Sequence, residues 1–286
     1  MSQPDRADAG SGLTRREAYE RARRRRGAVI GATSTIIAVT AVVVLVPRAP
    51  RWEQVKKSFF DLDLLRESFP DLVRAFWLDV RIFLWSLPLI FVLSLLVAIA
   101  RNSRSPALFP LRALAVVFTD AFRGIPVILT IYLIGFGIPG LIPSREWSNP
   151  LIWGTVALVL SYSAYTSEVF RAGIESVHES QRAAARSLGM SSRQTMRVVV
   201  LPQAIRRVIP PLMNSLVSLQ KDVALVSLIG PVEVLRRAEI QTSLAANFTP
   251  YVGAALIFLA LTVPCTRLAD RYLARERKRT GATAIA

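Results

Sequence analysis

Charge vanishes from this chain in long blocks. Residues 27–47, 82–100, 124–144 and 147–167 contain no acidic or basic side chain, nor do 240–266; another apolar run, 208–232, is interrupted only by Lys221 and Asp222. At about 1.5 Å of rise per residue, a run of about 20 residues crosses a hydrocarbon core about 30 Å thick. The pattern therefore predicts an all-α membrane protein with six transmembrane helices. Between the first two runs, residues 48–80 follow a different rhythm. Val55, Phe59, Leu62, Phe69, Leu72, Phe76 and Val80 recur at helical spacing among charged residues. This predicts an amphipathic helix along the membrane interface, bent near Pro70.

The ends are polar. Residues 1–26 carry arginine clusters without apolar periodicity and read as a disordered basic tail, and residues 271–286 form a second basic tail. The 27–47 run is too long for the apolar part of a cleavable signal, and Pro47-Arg48-Ala49-Pro50 offers no small-residue cleavage site. It reads as an N-terminal anchor.

Composition sharpens this picture. The chain has 286 residues, 52% of them hydrophobic, with mean hydropathy +0.39 and a net charge of +16. In a soluble protein such a charge would suggest nucleic acid, but in a membrane chain basic residues gather on the cytoplasmic side. Threading six spans with the N-terminal tail inside puts 25 of the 36 Lys and Arg residues in the cytoplasm. Both termini and the 171–207 loop are then cytoplasmic. The partner implied is the lipid bilayer, and no nucleic acid. Cys265 and His178 are each the sole residue of their kind, which excludes an intramolecular disulfide and any His- or Cys-cluster metal site.

The most sharply punctuated stretch is 180–211, SQRAAARSLGMSSRQTMRVVVLPQAIRRVIPP. A short helix around Arg182–Leu188 ends at Gly189, which can adopt a left-handed backbone without a Cβ penalty. Ser191, with Gln194 three residues on, opens a second helix through a capping box. Pro202 is expected to stop it, and Pro210-Pro211 to begin the next apolar helix. The expected product is a helix-turn-helix knuckle at the membrane surface. Its small residues suit close approach to a partner's groove, and Arg182, Arg186, Arg193 and Arg197 suit an ionic rim.

Ala184-Ala185, Gly189, Val199 and Leu201-Pro202 fall at the spacing of the EAA loop of ABC-importer permeases. SEVFRAGIES (167–176), RSLGM (186–190), LPQAIRRVIPPL (201–212), the turn at Phe122-Arg123-Gly124-Ile125-Pro126, and Lys221-Asp222 with Ala224-Leu225 extend the likeness. Over roughly residues 80–270 the chain resembles the polar amino-acid permease family. The resemblance implies the type I ABC-importer (MetI-like) permease fold over 81–270, with 171–207 as cytoplasmic coupling loop. It implies Arg182, Ala183, Ala184, Ala185, Gly189, Leu201 and Pro202 as the surface that docks an ABC ATPase subunit. It further implies a second permease chain, an extracytoplasmic solute-binding protein and a polar amino-acid substrate in the cell membrane. No Gly-rich loop ending in Gly-Lys-Ser or Gly-Lys-Thr is present, so ATP is expected on the partner and the chain itself needs no cofactor and is no enzyme. One departure stands out. The loop's usual glutamate is Ala183 here, so its charge contact is missing or made by another residue.

Translocation-pathway candidates follow from cost. Lys221 and Asp222 fall near mid-membrane, where ionisable groups face a protein interior or an aqueous path, or pin one helix to another. Arg123 precedes a Gly-Pro kink and serves either the pathway or lipid headgroups. Glu168 and Arg171 can pair on one helix face. Gln220, Asn214 and Ser218 can bond a solute or a neighbouring helix. Three other readings compete: an importer of another small polar solute, an ATP-independent secondary transporter, and an intramembrane enzyme. The secondary transporter would want repeated halves and further intramembrane acids, and the enzyme a catalytic dyad or metal at membrane depth.

Overall fold

The computed structural model describes residues 15–103, 105–141 and 147–283. It is helical throughout the regular segments it describes, and it divides after Ser58 into two units.

The first unit is dominated by α1 (Arg15–Leu45), followed by a 3₁₀ turn at Val46–Arg48 and most of α2 (Trp52–Phe59). The basic tail expected to be disordered up to residue 26 is helical from Arg15, because nothing in Arg15–Arg26 breaks a helix and the anchor that follows propagates it. Residues 1–14 of that expected tail lie outside the described residues.

The second unit is a bundle of α3 (Leu62–Asn102), α4 (Phe109–Gly124), α5 (Val127–Leu141), α6 (Pro150–Glu175), α7 (Glu179–Ser187), the single turn α8 (Ser192–Gln194), α9 (Leu201–Asp222), α10 (Val234–Ala245) and α11 (Thr249–Thr283). A π-helical stretch, Thr195–Val200, joins α8 to α9, and a 3₁₀ stretch, Val223–Ile229, extends α9. Among the described residues, four helical stretches are long and apolar enough to cross a membrane: Arg26–Arg48, Trp52–Asn102, Ser192–Ile229 and Thr249–Arg275. A fifth arises if Pro106–Gly124 and Val127–Leu141, bent by 109°, are taken as one span. The sixth expected span corresponds to α6, whose 26 residues reach about 39 Å. Its polarity disguises it. Ser161, Tyr162, Ser163, Thr166 and Ser167 are all buried, because α6 is the hub against which α3, α4, α5 and α9 pack.

Four expected boundaries move. Residues 48–80 are not an interfacial helix separate from the span at 82–100: α3 runs unbroken through Pro70 and Pro88. The apolar face of its first half covers protein rather than the lipid interface. Leu72 and Phe76 join Val234, Ala238, Ala254 and Ile257 in one core, and Phe59 stacks on Phe248 at 5.0 Å. The run 240–266 is two elements, because Ala246 turns left-handed (φ 48°) and the Asn247 side chain accepts from the Thr249 amide to start α11. Pro202 and Pro210-Pro211 do not bound helices but lie within α9. Pro202 sits in its first turn, where the missing N–H costs nothing. The basic segment 271–283 continues α11, and 284–286 lie outside the described residues.

The main core joins α3 (Ile82, Ile90), α5 (Ile131), α6 (Ala157, Leu158, Val159, Tyr162), α9 (Leu219) and the 3₁₀ stretch (Val223, Val226, Ile229). Two glycines set how closely these elements meet. A Cβ on Gly135 would lie 2.5 Å from Ile229, and one on Gly154 2.6 Å from Val226.

Candidate functional site

The knuckle between α6 and α9 is built largely as its sequence predicts. The sole histidine opens it: His178 Nδ1 accepts from the Ser180 amide at 3.2 Å and caps α7. α7 closes in a Schellman turn, with Gly189 N–H donating to Arg186 O (2.9 Å), Met190 N–H to Ala185 O (3.1 Å), and Gly189 at φ +81°. The capping box is formed in both directions, Gln194 N–H to Ser191 Oγ (3.3 Å) and Ser191 N–H to Gln194 Oε1 (2.8 Å). After it the chain widens into the π-helix before α9.

What the sequence reading missed is how the knuckle is braced. The Arg182 guanidinium donates to Ile174 O, and Arg207 to Ser176 O. Two cations thus satisfy carbonyls at the C-terminal end of α6, where the helix dipole also favours them. Arg182, expected on an ionic rim, is turned inward to this brace, while Arg186, Arg193 and Arg197 are exposed. Gly173 completes the joint, since a Cβ there would overlap Val208 of α9.

The surface left outside is specific. Ala183, Ala184 and Gly189 are exposed, as are Leu201 and Pro202, whereas Ala185 is buried as the inner face of α7. Around them stand apolar side chains without cover in this chain: Leu188 at 83% exposure, Val198 at 58%, Leu201 and Ile205. Leu188, Val198 and Ile205 were not singled out from sequence. Nothing in their spacing marks them, because what leaves them uncovered is the absence of a neighbouring element of this chain on that side. Glu179, the carboxylate of α7, lies one turn before Ala183 on the same face and holds Arg186 at 2.8 Å.

The pathway candidates separate into three places. Glu168, one residue beyond the uncharged run of α6, accepts from Arg171 on its own helix and from Arg101 of α3 at 2.7 Å; Arg123 is 3.8 Å away. The Arg171 hydrogen bonds, aided by Arg101, hold the Glu168 carboxyl well below the usual carboxylate range. Asp222, at the end of α9, accepts from Tyr162 O–H at 2.7 Å. Lys221 and Asp222, both in α9, project to different sides because adjacent helical residues lie about 100° apart, Lys221 exposed and Asp222 part-buried. Gln220 is buried and accepts from Thr262 O–H of α11 at 2.6 Å, so it does not share a face with Asn214 and Ser218. Asn214, Ser218 and Lys221 are exposed at i, i+4 and i+7, a polar stripe along the outside of α9.

A further acidic pair escaped the sequence reading. Asp79, expected on an interfacial surface, is 2% exposed and accepts from the Val234 amide at 3.2 Å. Glu233 is fully buried beside it and caps α10 through the Leu235 and Arg236 amides, both at 2.8 Å. Burial raises the Glu233 carboxyl above its ordinary range.

A polar hub helix, a sharply bent pair of apolar helices and a braced knuckle between α6 and α9 are the features of this membrane chain. Residues 67–278 match the family model described as "Binding-protein-dependent transport system inner membrane component", and the chain belongs to that family. It is a multi-pass protein of the cell membrane. Among its relatives are the probable amino-acid permease YxeN of Bacillus subtilis, 31% identical with 74% of this chain and 94% of that protein covered. The probable amino-acid ABC transporter permease PatM of Vibrio harveyi is 30% identical, covering 73% and 93%. A crystal structure of an amino acid ABC transporter with histidines aligns at a TM-score of 0.60 and 29% identity, covering 75% of this chain and 94% of that one. The MetNI methionine ABC transporter in inward-facing conformations shares the fold at a TM-score of 0.57 and 19% identity, covering 72% and 95%.

Proposed function

We propose that this chain is the permease subunit of an ABC importer that moves a polar amino acid into the cell. The ATPase docks on the knuckle, a second permease chain faces the polar stripe, and an extracytoplasmic binding protein delivers the solute. ATP is held and hydrolysed by the ATPase subunit, and this chain carries neither a cofactor nor a catalytic group of its own. The observation that carries this reading is the exposed surface Ala183, Ala184, Leu188, Gly189, Val198, Leu201 and Ile205, held rigidly on the end of α6 by Arg182 and Arg207. An apolar patch on a braced cytoplasmic loop suits a partner protein rather than solvent. The names of the relatives support the cargo class.

Movement of the knuckle passes to the hub through Gly173 and the two arginine braces, and along α9 to Lys221 and Asp222. The stripe of Asn214, Ser218 and Lys221 is costly against lipid, and a paired permease with a hydrated path between the chains removes that cost. Glu179 supplies the carboxylate that Ala183 lacks, because it stands one turn away on the same face.

The test is reconstitution of the chain with its ATPase, second permease and binding protein in vesicles. Polar amino acids presented through the binding protein are expected to stimulate ATP hydrolysis and to accumulate inside only with ATP. Stimulation by a different class of small polar solute would replace the cargo and leave the importer reading. Uptake at full rate without the ATPase would remove both.

A further inference from the structure

A recess of about 490 Å³ opens between the ends of α3 and α6 and the first turns of α4. Its lining mixes two chemistries: the cations Arg101, Arg112 and Arg171 with Glu175, and an apolar wall of α4 that includes Phe109, Val116 and Val117.

Depth places this recess at a headgroup layer. The uncharged runs of α3 and α6 end at Ala100 and Ser167, so Arg101 and Arg171 lie where hydrocarbon gives way to polar lipid. The apolar wall is open, with Phe109 and Val117 both more than half exposed. Arg101 and Arg171 are held in place by Glu168, and Arg171 also by Glu175. Although Glu175 lines the same recess, Arg112 forms no ion pair among the described residues. Its Nη1 donates to Ser103 O at 3.3 Å and its guanidinium lies 5.4 Å from the centre of the Phe109 ring, which fixes it at the mouth.

We infer that this recess binds the phosphate of an anionic phospholipid, with Arg112 and the outer edges of Arg101 and Arg171 on the phosphate and an acyl chain along Phe109, Val116 and Val117. Guanidinium forks suit phosphate, and basic pockets between membrane helices take anionic headgroups. Phosphate alone would not use the apolar wall, which is why the ligand is a lipid and not the free ion. Because Glu168 joins Arg101, Arg123 and Arg171 across α3, α4 and α6, such a lipid would brace the base of the hub helix.

The experiment uses the purified full-length chain in detergent, titrated with phosphatidylglycerol or phosphatidylcholine, with bound lipid counted by native mass spectrometry. Phosphatidylglycerol is expected to be retained in preference. Arg112→Gln should weaken its retention about fivefold, the effect of one cation beside an anionic headgroup. Val117→Asp, at an exposed wall position, should weaken it by repulsion, while Arg236→Gln, on α10, should leave it unchanged. Melting temperatures in phosphatidylcholine confirm that each variant is folded. Equal retention of the two lipids, an Arg112→Gln variant with undiminished selectivity, or displacement of phosphatidylglycerol by millimolar inorganic phosphate would each overturn the assignment.

Discussion

Gly189 decides the shape of the knuckle, because the Schellman turn that ends α7 requires its φ of +81°. A β-branched residue there would cost about 1–2 kcal/mol in the left-handed region. Gly189→Val is expected to leave the protein in the membrane while weakening ATPase association about tenfold, read by co-purification, since that strain corresponds to about one decade. The arginine braces were illegible by sequence, since a basic residue in a loop reads the same whether it faces a partner or a helix end. Only the carbonyls of Ile174 and Ser176 tell Arg182 and Arg207 from the exposed Arg193 and Arg197. The carboxylate question is also tested at single residues. Glu179→Gln is expected to weaken ATPase association, and adding Ala183→Glu in that background to restore it; loss without restoration would assign Glu179 to the Arg186 pair alone.

Among the elements, α6 does most to position the site, and its glycines mark where other elements press on it. Gly154→Leu is expected to lower the melting temperature of the detergent-purified chain, because even a Cβ already meets Val226 and overpacking costs about 1–3 kcal/mol. The joint of α3 with α10 has a pH signature. Glu233 is buried with its carboxyl raised, so the folded chain keeps a proton that the unfolded chain releases. Its contribution to stability is full below the ordinary carboxylate range and is lost as pH rises through the raised value. Glu233→Gln keeps a side-chain acceptor for the α10 amides and has no such proton to lose. Its melting temperature should therefore vary less with pH on the alkaline side, and a pH profile identical to that of the parent would exclude Glu233 as its source. The Asn247-Phe248-Thr249-Pro250 signal that divides α10 from α11 was present in the sequence. It was overridden by an uncharged run long enough to be one span, as α3 overrode the proline at 70.

For the whole molecule, topology is the quantity to measure. With Cys265 replaced by serine, single cysteines introduced at Leu188 and at Leu244, both 83% exposed, are expected to react with a membrane-impermeant thiol reagent from opposite sides, Leu188 only from inside. Labelling of Leu188 in intact cells from the medium would reverse the chain and remove the ATPase from the knuckle. Charge asymmetry supports the inward assignment without reference to any relative, because it follows from the distribution of Lys and Arg alone.

The amino-acid order by itself determined the membrane class, most of the apolar runs, the capping and closure of the knuckle, and the likeness to a transport family. These depend on composition and on spacing over a few residues, where local physics acts. The tertiary structure alone decided that polar α6 is the hub, that Arg182 and Arg207 brace the end of α6, and that Asp79 meets Glu233 across 154 positions of chain. It also separated Gln220 from the stripe of Asn214, Ser218 and Lys221. Each of these depends on which face of a helix a neighbour covers, and the spacing along one helix does not contain that neighbour.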